Sequence, residues 1–395
     1  MVQKLHEIEE RPKRALLISF VAEKKDSAFD GDVNEAVPGM ELEGLAQTLE
    51  LDIAGHEVVR VRDRQPKFGM GSGKAEELAQ TANRLEADCL VFDGEISPSQ
   101  QRNWEDLAKV PVLDRQELII QIFAMRATTK EAELQVRLAE LNYRLPRLAH
   151  KYIDLSRQRG GRYGTKGAGE TRLETDRRQI EKQIHKLEKE IEGIKKSRYV
   201  QRRQRERQGL PVCAVVGYTN AGKSSLLNVF TGAAVHVEDK LFATLDTTTR
   251  RFEPEPGMTA LLTDTVGFIR RLPHSLVKAF RSTLEEAACA NLLIHVLDAS
   301  DPGIENCRQT TVSVLQELGA GEIPVITVLN KCDLLTDEVQ KESLLARFPE
   351  ALAVSIKNGD GLEQLKYRIA KELKDLYLQV NTAHGKKHLQ EKGGL

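Results

Sequence analysis

The stretch Gly217-Tyr218-Thr219-Asn220-Ala221-Gly222-Lys223-Ser224 constrains the fold of this chain most tightly. It follows the apolar run Pro211–Val216 and precedes a helix-prone run, Ser225–Phe230. A glycine-bearing loop between a strand and a helix N-terminus wraps anionic oxygens with backbone N–H groups. In this spacing Lys223 offers a cation to the β and γ phosphates, and Ser224 offers a hydroxyl to magnesium. A strand that is apolar throughout belongs to a parallel sheet covered on both faces. The expectation is therefore an α/β domain built around a nucleotide, with Mg2+ as its cofactor.

Two later motifs select the nucleotide. Asp264-Thr265-Val266-Gly267 follows the strand-like run Thr259–Thr263, so Asp264 can hold magnesium through water and the Gly267 N–H can meet a γ-phosphate. Asn330-Lys331-Cys332-Asp333 ends the run Pro324–Leu329. A carboxylate at Asp333 accepts from the ring N–H and exocyclic amine of guanine, whereas adenine would leave it unsatisfied. Asn330 is expected to steady the loop and the base, and Lys331 to lie along the base plane. Phe242-Ala243-Thr244-Leu245-Asp246 occupies the place of a switch segment. Thr244 is the choice for magnesium, with Thr247, Thr248 and Thr249 close enough for a slip of register. Ser355-Ile356-Lys357, after the run Ala351–Val354, fits a loop covering guanine. The sequence thus predicts a protein that binds GTP and GDP and hydrolyses GTP, with Lys223, Asp264 and Gly267 as its catalytic set.

Strand and helix patterns alternate twice along the chain. Ala15–Val21, Glu57–Val61 and Cys89–Phe92 alternate with helical stretches at Glu41–Leu51, Lys74–Leu85 and Pro98–Ala108, which predicts a small α/β N-terminal domain over 1–126. The runs named above, with Leu292–Leu297, predict a parallel-rich sheet over 209–380, and a polar tail covers 381–395.

Residues 127–208 read as a helical arm. Leu134, Leu138, Leu141, Leu145 and Leu148 recur at 4-3-4-3 spacing, as do Ile180, Ile184, Leu187, Ile191 and Ile194. Narrow seams at that period predict an antiparallel coiled-coil hairpin, with Pro146 weakening the first helix near its end. Between Ser156 and Gln208 there are 17 Lys and Arg against 8 Asp and Glu, so a chain of net charge -1 concentrates its positive field here. The connecting loop, 157–170, holds five glycines and four cations. One reading is a flexible loop with solvated charges. The favoured reading is contact with nucleic acid, in which Arg157, Arg159, Arg162 and Lys166 neutralise phosphates and Tyr163 stacks on a base.

The segments GYTNAGKSS, FATLDTTTRR, DTVGFIRRLP and GTKGAGETRLETDRRQI together resemble the HflX family of translational GTPases, over nearly the whole chain. The resemblance implies an N-terminal HflX domain, the arm and a C-terminal G domain. It also implies binding to the large ribosomal subunit and its rRNA, with splitting or rescue of stalled ribosomes as the role. Matching motifs would give phosphate to Gly217–Ser224, magnesium to Ser224 and Thr244, the γ-phosphate side to Asp264–Gly267 and guanine to Asn330–Asp333. Two positions depart from the family pattern: Cys332, in a slot often small or apolar, and Ala168, where the arm loop often has proline.

Many relatives place a glutamine immediately after the DxxG glycine to orient the attacking water. Here that residue is Phe268, so slow intrinsic hydrolysis is expected, with acceleration by a partner. Arg250, Arg251, Arg270 and Arg271 flank the switches and read either as charge donors in cis or as surface cations. Phe68-Gly-Met-Gly-Ser-Gly73-Lys74 also precedes a helix. A glycine turn is its first reading, and an ATP or RNA-phosphate loop its second. Two other functions stay open: an RNA-binding assembly or anti-association factor with GTP as ligand, and an ATP-dependent RNA remodeller. The five scattered cysteines form neither a CxxC pair nor a Cys/His cluster, and no apolar run approaches membrane-spanning length. These features suggest a cytoplasmic protein, and a monomer is expected.

Overall fold

Continuous apolar runs set the two sheets, because a strand buried on both faces cannot alternate with polar residues. The computed structural model describes residues 14–22, 39–158, 166–207, 209–232, 240–270, 276 and 281–375. Two compact units divide the chain: Met1–Lys195 with Arg271–Ala279, and Lys196–Arg270 with Phe280–Leu395.

In the first unit β1 (Arg14–Ala22), β2 (Asp52–Val61), β3 (Cys89–Asp93) and β4 (Val112–Asp114) form an all-parallel sheet in the order β2-β1-β3-β4. Helices α1 (Met40–Thr48), α2 (Ser72–Arg84), α3 (Pro98–Ala108) and α4 (Arg115–Arg126) connect or follow the strands. The α3 start is set locally. Pro98 occupies the first turn, and Ser97 and Gln100 form a reciprocal capping box, 3.2 and 3.0 Å. The glycine loop before α2 is anchored by the core: Phe68 and Met70 are buried, and Trp104 Nε1 donates to the Phe68 carbonyl at 3.0 Å. A turn into α2 therefore accounts for this loop.

Long helices α5 (Lys130–Gln158) and α6 (Lys166–Arg207) follow. The base of α5 buries more than a seam, because Ala132, Gln135, Val136, Ala139 and Tyr143 are buried along with Leu134 and Leu141. That broad face packs on α3 and α4. The helix is assigned as continuous through Pro146. On α6, Ile191 is buried and Ile180, Ile184, Leu187 and Ile194 are half-buried, as are Asp176, Gln183, Lys195 and Arg198.

A buried polar cluster joins β4, α4 and α5. Asp114 caps α4 by accepting from the Glu117 N–H at 2.9 Å, and its other oxygen pairs with Arg147 at 2.9 Å. Glu117 is wholly buried and accepts from the Tyr143 hydroxyl at 3.0 Å, while its Oε1 has no partner among the described residues. Burial first, and the neighbouring Asp114 charge second, push the Glu117 carboxyl from 4.5 up to about 8. Between those values the folded chain keeps a proton that the unfolded chain has lost. Its contribution to stability therefore falls as pH rises through that window, at up to about 1.4 kcal/mol per pH unit. The single tryptophan, Trp104, lies in this unit and reports its unfolding. Glu117→Gln should flatten the decline seen by tryptophan fluorescence between about pH 5 and pH 8. Parallel curves for the two proteins would refute this assignment.

The second unit holds a six-stranded sheet, β10-β9-β8-β5-β7-β6. Its strands are β5 (Val212–Gly217), β6 (Thr248–Glu255), β7 (Met258–Asp264), β8 (Leu292–Asp298), β9 (Val325–Asn330) and β10 (Leu352–Ala353). Only β6 runs antiparallel, pairing with β7 at the edge. One face is covered by α7 (Lys223–Thr231) and α11 (362–375), through Leu226, Leu227, Leu365 and Ile369. The other carries α9 (Ile304–Glu317) and α10 (Glu338–Arg347), through Ile304, Leu344 and Phe348. Helix α8 (Arg281–Ala288) precedes β8, and a short 3-10 turn, Cys332–Leu334, follows β9. Among the described residues no helix is long and apolar enough to cross a membrane.

Candidate functional site

The parallel strands end on one edge of the sheet, where Gly217, Asp264, Asp298 and Asn330 are their last residues. Open α/β sheets bind ligands at that edge. A cleft lies there, lined by Thr219, Asn220 and Gly222 to Ser225 of the phosphate loop, by Lys240 and Phe242–Thr244, and by Thr265 and Gly267.

The loop's shape demands its glycines. Gly222 sits at φ +98, and a side chain there would collide with the Asn330 amide. Gly267 lies so close that an added Cβ would be 2.8 Å from Thr219 Cγ2 and 2.9 Å from Lys223 Nζ. The buried Lys223 ammonium donates to the Tyr218 carbonyl at 2.7 Å. Burial lowers its pKa to about 8, with the Asp264 charge opposing that shift.

Three oxygens converge beside it. Ser224 Oγ donates to Asp264 Oδ2 at 2.5 Å and lies 2.7 Å from Thr244 Oγ1. Asp264 Oδ1 is buried with no partner among the described residues. Burial raises the Asp264 carboxyl above its usual range, against the pull of Lys223 and of the two hydroxyls. A hard divalent cation suits this donor set: two hydroxyls backed by a carboxylate with an unsatisfied oxygen. It would neutralise phosphate charge there. Thr244 meets Ser224, whereas Thr248 and Thr249 belong to β6, and Thr249 Oγ1 contacts Thr263 Oγ1 at 2.9 Å.

A second cluster adjoins the loop. Asn330 donates to the Ala221 carbonyl at 2.8 Å and accepts from the Ile356 N–H at 3.2 Å, so it clamps the phosphate loop to the 355–357 segment. Ser355 Oγ donates to Asp333 Oδ1 at 2.7 Å, fixing one carboxylate oxygen. Lys331 adopts φ +64, and its Nζ lies 2.7 Å from Asp298 Oδ2. Cys332 donates weakly to the Leu329 carbonyl, and Lys357 is exposed.

Other predicted positions serve the frame. Leu245 and Val266 are buried, the Thr265 hydroxyl donates to the Val215 carbonyl at 2.7 Å, and Tyr218 accepts from the Arg270 N–H at 2.6 Å. Asn220 stands exposed at φ +61, and Asp246 is half-buried. Phe268 exchanges backbone hydrogen bonds with Gly217 and Thr219, 3.1 and 2.8 Å, and its ring is buried. None of the described flanking arginines lines the cleft. Arg250 and Arg251 are exposed on β6, and the Arg270 guanidinium lies against Gly303. Arg159, Arg162, Tyr163 and Arg271 lie outside the described residues, as do the side chains of Arg157 and Lys166. Sequence reasoning missed Lys240 and Asp298. The end of a parallel strand was the available signal for Asp298, and nothing marked Lys240.

The chain is 47% identical over 371 residues to GTPase HflX of Akkermansia muciniphila, covering 90% of this chain and 84% of that relative. The chain belongs to the HflX family of GTPases. It is also 42% identical over 369 residues to GTPase HflX of Caldanaerobacter subterraneus subsp. tengcongensis, covering 93% of this chain and 82% of that one. Three family models tile the sequence: GTP-binding GTPase N-terminal over 39–124, GTP-binding GTPase Middle Region over 126–205, and 50S ribosome-binding GTPase over 212–331. Among solved structures, the complex of SsGBP and GDP matches with a TM-score of 0.50 at 25% identity, covering 93% of this chain and 99% of that one. As an HflX GTPase the chain hydrolyses GTP.

Proposed function

We propose that this HflX-family GTPase acts on the large ribosomal subunit, as a nucleotide-controlled switch that splits or rescues stalled ribosomes. Within the site, Gly217 to Ser224 take the phosphates, with Lys223 as the principal cation. Ser224 and Thr244 hold Mg2+, with Asp264 behind them, and Gly267 meets the γ-phosphate. Asp333, braced by Ser355, reads guanine. The observation that carries the reading is the buried ring of Phe268 at the place of a water-orienting group. A site with no water-orienting side chain at that position suits a GTPase whose turnover waits on a partner. The match over 212–331 to a model described as 50S ribosome-binding supports the choice of partner. So does the excess of 17 basic over 8 acidic residues between Ser156 and Gln208, since rRNA is a polyanion.

The test is sedimentation of intact ribosomes with this protein and a non-hydrolysable GTP analogue. Free subunits, with the protein on the larger one, are the expected result. Binding to intact ribosomes without dissociation would favour an assembly or surveillance factor. No binding at all would remove the ribosome from the proposal.

A further inference from the structure

Thr219 carries a contradiction that the fold does not explain. The residue is 6% exposed, and its hydroxyl oxygen is buried with no hydrogen-bond partner among the described residues. Folded chains rarely leave such an oxygen unpaired, because burying it forfeits its bonds to water. Valine would fill the same volume at no such cost. The backbone also needs nothing from the hydroxyl, since the Thr219 N–H already donates to the Phe268 carbonyl at 2.8 Å.

The hydroxyl's surroundings suggest its use. Thr219 lines the cleft, and its methyl and the Lys223 ammonium both lie within 3 Å of where a Cβ on Gly267 would stand. Thr219 and the phosphate-loop cation thus both border the glycine of the DxxG motif. Its main chain is tied to Phe268, so the residue is held in register with that motif. A β-branched side chain has few rotamers, which fixes the oxygen further. The neighbour that should orient water, Phe268, has its ring in the core.

We propose that Thr219 is a catalytic residue, whose hydroxyl orients the attacking water against the terminal phosphate of GTP. This rests on the GTPase reading of the same cleft. In the step, the water oxygen bonds to the γ-phosphorus while the bond to the bridging oxygen breaks. The electron pair leaves with GDP, and the water proton ends on the released phosphate. The threonine oxygen accepts a hydrogen bond from the water and its O–H donates a hydrogen bond to a terminal-phosphate oxygen. It is protonated before and after, and acts by position.

The experiment compares wild type, Thr219→Val and Thr219→Ser as full chains. It measures single-turnover hydrolysis at saturating GTP, and binding of a fluorescent GDP analogue. Thr219→Val should slow turnover about 10²-fold or more, the lower end of the range ascribed to a positioned proton-handling group. Its GDP affinity should stay within about 2-fold of wild type, because GDP lacks the phosphate that the hydroxyl serves. Thr219→Ser should keep most of the rate. A Thr219→Val rate within about 2-fold of wild type overturns the proposal, as does a loss of GDP affinity matching the loss of rate. Should Thr219→Val fail to bind GDP at all, Thr219→Ala is measured on the same terms and decides. A wild-type chain that binds no GDP would instead overturn the reading of the cleft.

Discussion

Asp333→Asn is expected to lower kcat/KM for GTP by about 10³-fold or more and to raise it for xanthosine triphosphate. The size follows from what the carboxylate must do. One oxygen is committed to the Ser355 hydroxyl at 2.7 Å, so the group is held in place rather than free to turn away. An amide in that position presents a donor to a donor on guanine, and each faces the other without water. Xanthine carries a carbonyl where guanine carries its amine, which restores the match. The exchange leaves the Asn330 clamp between Ala221 and Ile356 untouched, so phosphate binding should survive. Steady-state kinetics with both nucleotides check this. An equal loss for both would mean that the substitution had disturbed the loop rather than the specificity.

The second large effect is expected from the partner. Among the described residues, the cations lining the cleft are Lys223 and Lys240, and no arginine does so. Phe268 is locked by two backbone hydrogen bonds and a buried ring, so no side-chain rotation can bring a polar group there. A group supplied in trans, or a switch ordered by docking, is worth about 10³- to 10⁵-fold in comparable phosphoryl transfers. Acceleration by large ribosomal subunits should fall in or near that range. It should also weaken as salt rises, since rRNA binding releases counterions.

The legibility of the fold follows its physics. β5, β8 and β9 were readable because parallel strands buried on both faces are apolar throughout. Several elements were not, among them β4, α4 and β6. β4 has three residues, too few to show a period. α4 buries Leu118, Ile119, Ile120, Ile122 and Phe123 on several sides, so it lacks the stripe that marks a surface helix. β6, with Thr248, Arg250, Arg251 and Pro254, reads as loop, yet an edge strand tolerates both charge and proline.

The candidate site was legible wherever chemistry fixes spacing, from Gly217 to Ser224 and at Asp264 and Asp333. It was opaque where function depends on contacts across the fold. That Thr244 rather than Thr247, Thr248 or Thr249 reaches Ser224 depends on where β6 begins. Asp298 meets Lys331 only because β8 and β9 are neighbours in register. The unpaired state of the Thr219 hydroxyl is likewise a property of packing, invisible in the letters.

The most direct test of a GTPase whose site is complete for binding but waits for a partner is single-turnover hydrolysis of GTP, with and without purified large ribosomal subunits. The expected result is slow turnover by the protein alone, at least about 10²-fold faster with subunits. Equal rates in the two conditions, at nucleotide concentrations that saturate the site, would contradict it.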